Sequence, residues 1–284
     1  MLWLVYSLLT AVLQSVRDVL GKAKTKVLDE YVLAWSMSFV TAVLFFPLFF
    51  FIEIPSLDLS FWFSILVSGT INIVAFLLYT KALKHDDLSL SMPMLCFTPA
   101  LLLITSPFLV GEFPSLLGIG GVLLIVLGTY IMKMTEKGFF SPFKALLRQK
   151  GPRYMLLVAV LFSISANVDK IGLQHSSLWF WIISVEIFIA LGLTIVMMVK
   201  SSQKPRLRDI KHILPLGLVE AGTVFFHMSA LGITFVAYLI AIKRTSALLS
   251  TLWGHFFFKE KEFKERITGA LFMVLGVTLI AFSG

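Results

Sequence analysis

Two adjacent cations in an otherwise apolar stretch are the sharpest chemical signal in this sequence: Lys243-Arg244, set in Ile240-Ala241-Ile242-Lys243-Arg244-Thr245-Ser246. Neighbours on a helix point about 100° apart, so both cannot face lipid cheaply. Arg supplies a bidentate fork and Lys a point charge, a combination suited to a carboxylate or a phosphate. The competing use is internal, as salt bridges to Glu220 or Glu186. Four acids (Asp18, Asp169, Glu186, Glu220) and four bases (Arg17, Lys170, Lys243, Arg244) lie within apolar segments, so their charges can cancel. Glu220 has His227 seven residues on, at nearly the same helix face. An acid and a histidine in one stripe can relay protons; the alternative is that Glu220 is the counter-ion of Lys243 or Arg244 and His227 a hydrogen-bonded packing residue. Glu186 reads as the counter-ion of a base. Asp18 and Asp169 lie near segment ends, with Arg17 and Lys170 beside them, where long side chains reach the interface. They are expected at cavity mouths or in gate salt bridges with partners other than their sequence neighbours. Tyr79 and Tyr238 are candidate polar aromatic wall residues. Pro93 and Pro99 interrupt one apolar run and either free carbonyls to line a cavity or make a passive kink.

These residues need elements to hold them, and the composition says what kind. Of 284 residues, 58% are hydrophobic and only 14% charged, against about 25% charged in a soluble domain. That excludes a disordered chain and a disulfide scaffold, and argues against a soluble enzyme. Cys96 is the single cysteine, so no internal disulfide forms, and no Cys/His metal spacing occurs. No cofactor, metal or catalytic residue is expected. The net charge of +8 does not imply nucleic acid, because the basic residues sit in short segments between apolar runs.

A membrane-crossing helix needs about 20 mostly apolar residues. Ten such runs are present, at 2–20, 32–52, 61–80, 88–110, 114–132, 154–173, 177–199, 212–231, 234–257 and 266–283. The first lacks the basic start and small-residue cleavage site of a signal peptide. The segment 133–153 reads as an amphipathic linker. Of the 24 Lys and Arg residues, 20 fall in loops after odd-numbered runs, and the remaining four lie within runs. The positive-inside rule therefore places the odd loops in the cytoplasm and both termini outside. The tryptophans Trp3, Trp35, Trp62, Trp179, Trp181 and Trp253 serve as interface anchors or packing residues.

The chain repeats itself. A shift of 148 residues superposes 61–131 on 209–279 without a gap, aligning Gly69 with Gly217, Asn72 with Glu220, Ala82-Leu83 with Ala230-Leu231, Glu112 with Glu260, Gly121 with Gly269 and Gly128 with Gly276. A shift of 151 places Asp18-x-x-Gly21 on Asp169-x-x-Gly172. Residues 1–135 thus form one five-span unit, 136–153 a cytoplasmic linker, and 154–284 a second unit. Five is odd, so the second unit lies upside down relative to the first. Inverted repeats mark secondary transporters, with the substrate site near the midplane at the repeat interface. The Lys243-Arg244 pair has Leu95-Cys96 as its mate, which makes the site asymmetric. Gly118, Gly120, Gly121, Gly128, Gly269 and Gly276 allow close helix approach. Glu112 and Glu260 end runs four and nine, where capping or gate bonding is expected.

Ala82-Leu83, Pro93, Pro99 and Glu112, followed by Gly121 and Gly128, resemble the EamA repeat of the drug/metabolite transporter superfamily, and Phe258-Lys259-Glu260 through Gly269 and Gly276 repeat its ending. The resemblance implies a ten-helix carrier with a cavity lined by spans 1, 3, 4, 6, 8 and 9. Many relatives carry both termini in the cytosol; the charge bias here gives the opposite orientation and is followed. The Lys-Arg pair in span nine also resembles the phosphate-binding pair of plastid sugar-phosphate translocators.

The expected fold is therefore all-α and integral to the cell membrane, ten transmembrane helices in two inverted five-helix repeats. The expected function is secondary transport of a small polar or anionic metabolite by alternating access. Expected substrate contacts are Lys243, Arg244, Glu220, Asn72, Tyr79 and His227; expected coupling or gating residues are Glu220, Asp18, Asp169 and Glu186. The partners are that small molecule and membrane lipid, with room for proton or counter-substrate coupling and for a homodimer. The alternative is an integral-membrane enzyme acting on a lipid or head group.

Overall fold

A computed structural model describes residues 1–25, 27–85, 94–133, 140, 148–206, 209–246, 248–249 and 263–283. Among them the regular structure is helical. The helices are α1 (Leu2–Lys24), α2 (Glu30–Phe45, continued by a 3-10 turn Phe46–Phe50), α3 (Leu59–His85), α4 (Thr98–Leu109), α5 (Leu116–Lys133), α6 (Lys150–Gln174), α7 (Leu178–Lys200), α8 (Ile210–Leu231), α9 (Val236–Lys243) and α10 (Phe263–Ser283). Six stretches are long and apolar enough to cross a membrane: Leu2–Gly21, Glu30–Phe50, Leu59–Ala82, Lys150–Gln174, Leu178–Lys200 and Ile210–Leu231. Thr98–Leu109, Leu116–Ile131 and Thr268–Ser283 are shorter apolar helices. Pro93, Trp253, Glu260 and most of the linker lie outside the described residues.

Several hydroxyl side chains inside these helices are satisfied locally. Ser7, Thr10, Thr41, Thr80, Thr129 and Thr223 each donate a hydroxyl hydrogen bond to the carbonyl four residues back, at 2.7–2.9 Å. In a lipid environment no water can serve that purpose. Helix starts follow capping chemistry: the Asp29 carboxylate accepts from the amides of Tyr31 and Val32, and the Ser177 hydroxyl accepts from that of Phe180.

The helices pair in a pattern that survives exchange of α1–α5 with α6–α10. Helix α1 packs on α8 as α6 packs on α3, and α2 on α8 as α7 on α3, while α2–α7, α4–α9 and α5–α10 each map onto themselves. Gly69 of α3 makes room for Phe188 of α7, and its repeat mate Gly217 of α8 makes room for Val40 of α2. A large apolar core fills the space between α2, α3, α7 and α8, with Trp181, Phe61, Leu33 and Met37 almost wholly buried.

A backbone-to-backbone approach joins α5 to α10. A Cβ on Gly128 would stand 2.5 Å from the carbonyl oxygen of Gly269, and one on Gly121 2.7 Å from that of Gly276. Backbone blocks both positions, so no side-chain adjustment relieves the clash. Gly128→Leu is expected to lower the melting temperature of the detergent-purified protein, by the roughly 1–3 kcal/mol or more of an overpacked contact. Gly120→Ala is the control, because a Cβ there meets nothing within 4 Å. Equal melting of the two variants would show that this contact does not stabilise the fold.

At one end of the bundle, Asp58 caps α3 by accepting from the Phe61 amide at 3.0 Å, and its other oxygen lies 2.7 Å from Nδ1 of His175, just past α6. The cap and, to a lesser degree, His175 hold the Asp58 carboxyl below its ordinary value of 3.8. A depressed acid contributes stability above its unfolded value and loses it as pH falls through its folded one. The cap should therefore be complete above about pH 4 and weaken below it. Exchange of the Phe61 amide with solvent, followed from pH 6 to 3, should show this loss of protection. Asp58→Asn keeps a capping oxygen and should flatten that dependence; an unchanged profile would remove the carboxylate from the account.

Candidate functional site

A cavity of about 90 Å³ opens between α1, α3, α6, α7, α8 and α9, with Leu95 closing it from the turn before α4. Its position is set by breaks in two helices. Helix α9 stops at Lys243, and Arg244 and Thr245 form a turn in which Arg244 keeps right-handed helical angles and the Thr245 amide donates to the Ile242 carbonyl three residues back at 2.9 Å. In the other repeat Cys96-Phe97 form the corresponding turn, and Pro99 stands in the first turn of α4. Pro99 therefore starts a helix instead of kinking one, as its missing amide allows. Broken helices at membrane depth are tolerated where they line a cavity.

Lys243 and Arg244 both line this cavity. The guanidinium of Arg244 donates from Nη2 to Thr98 Oγ1 at 3.1 Å, and its buried Nε has no hydrogen-bond partner among the described residues. Lys243 makes no ion pair within 4 Å among the described residues. The alternative use of this pair, in direct salt bridges to Glu220 or Glu186, has no counterpart within 4 Å among the described residues. Lys243 closes the last turn of α9, where the helix dipole favours a cation by about 0.3–1 kcal/mol. Lys243 is half-buried, and a dipole term of that size does not replace a counter-ion.

Glu220 is held instead by Arg17. Nη1 of Arg17 lies 2.9 Å from each Glu220 oxygen, and the two side chains are 10% and 4% exposed. Arg17 was expected at the membrane interface; it is buried because α1 and α8 pack face to face and turn it inward. Its Nη2 also lies 3.6 Å from Asp18, so these sequence neighbours do not diverge fully. Asp18 accepts from Gln14 Nε2 at 2.6 Å and from the Tyr79 hydroxyl at 3.0 Å, while the Arg17 guanidinium sits 5.8 Å from the Tyr79 ring centre. Tyr79 and Asp18 therefore form a layer behind the cavity wall and do not line it. Tyr238 is buried against Phe235 and Trp3, also away from the lining.

Asp169 accepts from the Ser68 hydroxyl and lines the cavity. Asn72 donates to the Ser68 carbonyl and hydroxyl at 3.0 Å and to Ser165 at 3.2 Å. His227 also lines the cavity, two turns along α8 from Glu220, with Nδ1 unpartnered among the described residues. Glu186 has one buried oxygen with no partner and no base in ion-pair range among the described residues, which corrects its reading as a counter-ion. It belongs to α7, a helix that the family resemblance leaves out of the lining.

Glu112 and Lys170 form a separate link at the cavity's far end. They pair directly, Lys170 Nζ donates to the Thr234 carbonyl at 2.6 Å, and the Val236 amide donates to Glu112 at 2.7 Å. This fits the gate or cap expected of Glu112. Sequence reasoning missed Gln14, Ser68, Ser165 and Thr98. Three of them carry a signal: Gln14/Asp18, Ser68/Asn72 and Ser165/Asp169 are polar pairs one helical turn apart inside apolar runs.

Long apolar helices enclosing a charged, asymmetric cavity define a multi-pass membrane protein of the transporter class. The profile of the EamA-like transporter family matches residues 1–134 and again 149–282. The chain belongs to that family, within the drug/metabolite transporter superfamily. Among solved structures, one crystal structure of a protein resembles it with a TM-score of 0.75, at 16% identity over 99% of this chain and 97% of the other. At that identity the likeness concerns the fold alone. No curated protein matches the chain. The matched family is one of transporters, so the reading as a lipid-modifying enzyme gains no support.

Proposed function

We propose that this protein is a secondary transporter that moves a small polar or anionic metabolite across the cell membrane by alternating access. Lys243 carries the reading: a cation at a broken helix end, facing a cavity, with no acid in ion-pair range among the described residues. An anionic substrate group would meet it, with the Arg244 fork beside it and Asn72 and His227 as neutral hydrogen-bonding contacts. The Arg17–Glu220 pair supports the wall of this site. Membrane helices broken at the same place in both repeats are what a midplane site requires.

The ten runs act as ten spans, and residues 1–135 and 154–284 form two five-helix units of opposite orientation joined by a cytoplasmic linker. The lysine and arginine bias supports both termini lying outside. On that orientation the Glu112–Lys170 link ties α6 to the loops before α5 and α9 at the outer end. It would have to break when that end opens.

Flux through sealed vesicles tests the function. Purified protein is first screened for thermal stabilisation by phosphate- and carboxylate-bearing metabolites. The compounds that bind are then offered as radiolabelled counter-substrates. Exchange that Lys243→Ala abolishes is the expected result; binding without movement would end the transporter reading. Reporter fusions at Gly284 should read as extracytoplasmic and those within 144–150 as cytoplasmic. The opposite readout would invert the assigned orientation.

A further inference from the structure

Helix α7 runs from the Glu112–Lys170 end of the bundle to an end of different character. The segment from Lys200 to Lys211, which closes α7 and opens α8, carries five Lys and Arg and one acid in twelve residues. It is docked on the loop between α1 and α2. The Ser201 hydroxyl donates to Asp29, the Asp29 amide donates to Gln203 Oε1 at 2.9 Å, and Gln203 Nε2 donates to the Val27 carbonyl at 3.2 Å. Beside this contact, Nζ of Lys24, the last residue of α1, lies 3.2 Å from Nδ1 of His212 in the first turn of α8. The ends of three helices thus bring Lys24, Lys200, Lys204, Arg206 and Lys211 to one end of the bundle.

None of these five cations has an acid within 4 Å among the described residues. The nearby acids are already in use. Asp29 caps α2 with one oxygen and takes Ser201 with the other. Asp209 accepts from the Arg206 amide at 2.9 Å, and Glu30 pairs with Lys84. Lys200, Lys204, Arg206 and Lys211 are exposed. So are Met198 and Val199 in the last turn of α7, and Ile210 and Leu214 in the first turns of α8. Exposed apolar side chains of a membrane helix belong among acyl chains, which sets the cations next to them at headgroup depth.

We propose that this end of the bundle binds an anionic phospholipid, its phosphate drawn to Lys204, Arg206 and Lys211 and its acyl chains lying against the exposed apolar residues of α7 and α8. Clusters of four to eight Lys and Arg just inside a membrane helix attract acidic headgroups, and the lysine and arginine bias supports this end facing the cytoplasm. A choline headgroup carries its own positive charge to these cations; a net-negative headgroup does not. Like charges on three helix ends repel one another, so a bound phosphate also draws the ends of α1, α7 and α8 together. The site is separate from the central cavity and does not depend on what that cavity carries.

The test titrates the full-length protein, in a neutral detergent, with dioctanoyl phosphatidylglycerol, dioctanoyl phosphatidylcholine and glycerol 3-phosphate. Binding is read by native mass spectrometry and by melting temperature. Phosphatidylglycerol should bind about tenfold or more tightly than phosphatidylcholine, raise the melting temperature, and lose its advantage as salt is raised. Lys204→Gln with Lys211→Gln should erase the preference. It should leave melting in detergent alone unchanged, because both side chains are exposed and make no ion pair among the described residues. Arg148→Gln with Lys150→Gln removes two exposed cations around the start of α6; it is the charge-matched control and should keep the preference. Equal loss in the two double variants would replace a site by diffuse charge attraction and overturn the proposal. So would a Lys204→Gln, Lys211→Gln protein that still prefers phosphatidylglycerol. Glycerol 3-phosphate stabilising the protein as well as the lipid does would also overturn it, since the site would then take a soluble anion.

Discussion

Glu220→Gln is expected to destabilise the empty protein more than any other single isosteric change in the cavity. The change leaves the Arg17 guanidinium buried beside an amide in place of a carboxylate that met it at 2.9 Å from both oxygens. Breaking a buried pair by removing one partner costs about 3–5 kcal/mol, because the remaining charge is stranded. Asp18, at 3.6 Å from Nη2, stays as a weaker partner and places the effect toward the lower end. Denaturation in detergent without substrate reads this directly. The double change Arg17→Met with Glu220→Leu should recover most of the loss, since apolar replacements of similar volume are often neutral at such sites. A double variant no more stable than Glu220→Gln would mean that Glu220 answers some other base, Lys243 first among them. Sequence alone left Glu220 as either a proton relay with His227 or the counter-ion of the Lys-Arg pair, and did not name Arg17 as its partner.

Lys243→Met should behave in the opposite way. The ammonium has no acid within 4 Å among the described residues, so removing it breaks no ion pair among them. The melting temperature of the empty protein should hold or rise. Affinity for the anionic group should fall tenfold or more, in line with the roughly 1.5–3 kcal/mol of a charge-assisted hydrogen bond. Arg244→Lys should also weaken binding although charge is kept, because a point charge cannot replace the planar fork that reaches Thr98. Should Lys243→Met instead unfold the protein, and removal of Glu186 or Glu220 then rescue it, the pair would be internal scaffolding and not a binding site.

The architecture was legible because it rests on one-dimensional signals. Spans 20 residues long announce themselves through apolar length alone. The repeat showed through glycines whose spacing is fixed by backbone contact: Gly128 is required because Gly269 sits against it, and Gly121 because Gly276 does. The identity of the buried ionisable groups was equally plain, since a charge in an apolar run has few innocent explanations. The profile match to the EamA-like transporter family over both halves agrees with what those signals implied.

Which charge meets which was not legible. Pairing depends on the rotation of each helix about its axis and on which helices touch, and neither leaves a trace in the linear order. Arg17 lay near the end of its apolar run, so it looked like an interface residue. Packing of α1 on α8 turned it inward onto a carboxylate 203 residues away. The same packing used up Glu220 and so left Lys243 without an acid in ion-pair range among the described residues, while α7, unmarked in sequence beyond one glutamate, brought to the cavity an acid with one oxygen unpartnered among them. Sequence determined that a membrane-embedded two-repeat chain carries four acids and four bases in its apolar runs. Only the tertiary structure decided which of them cancel and which stay unmet, because an ion pair is set by distances of a few ångströms between helices that the chain order does not place side by side.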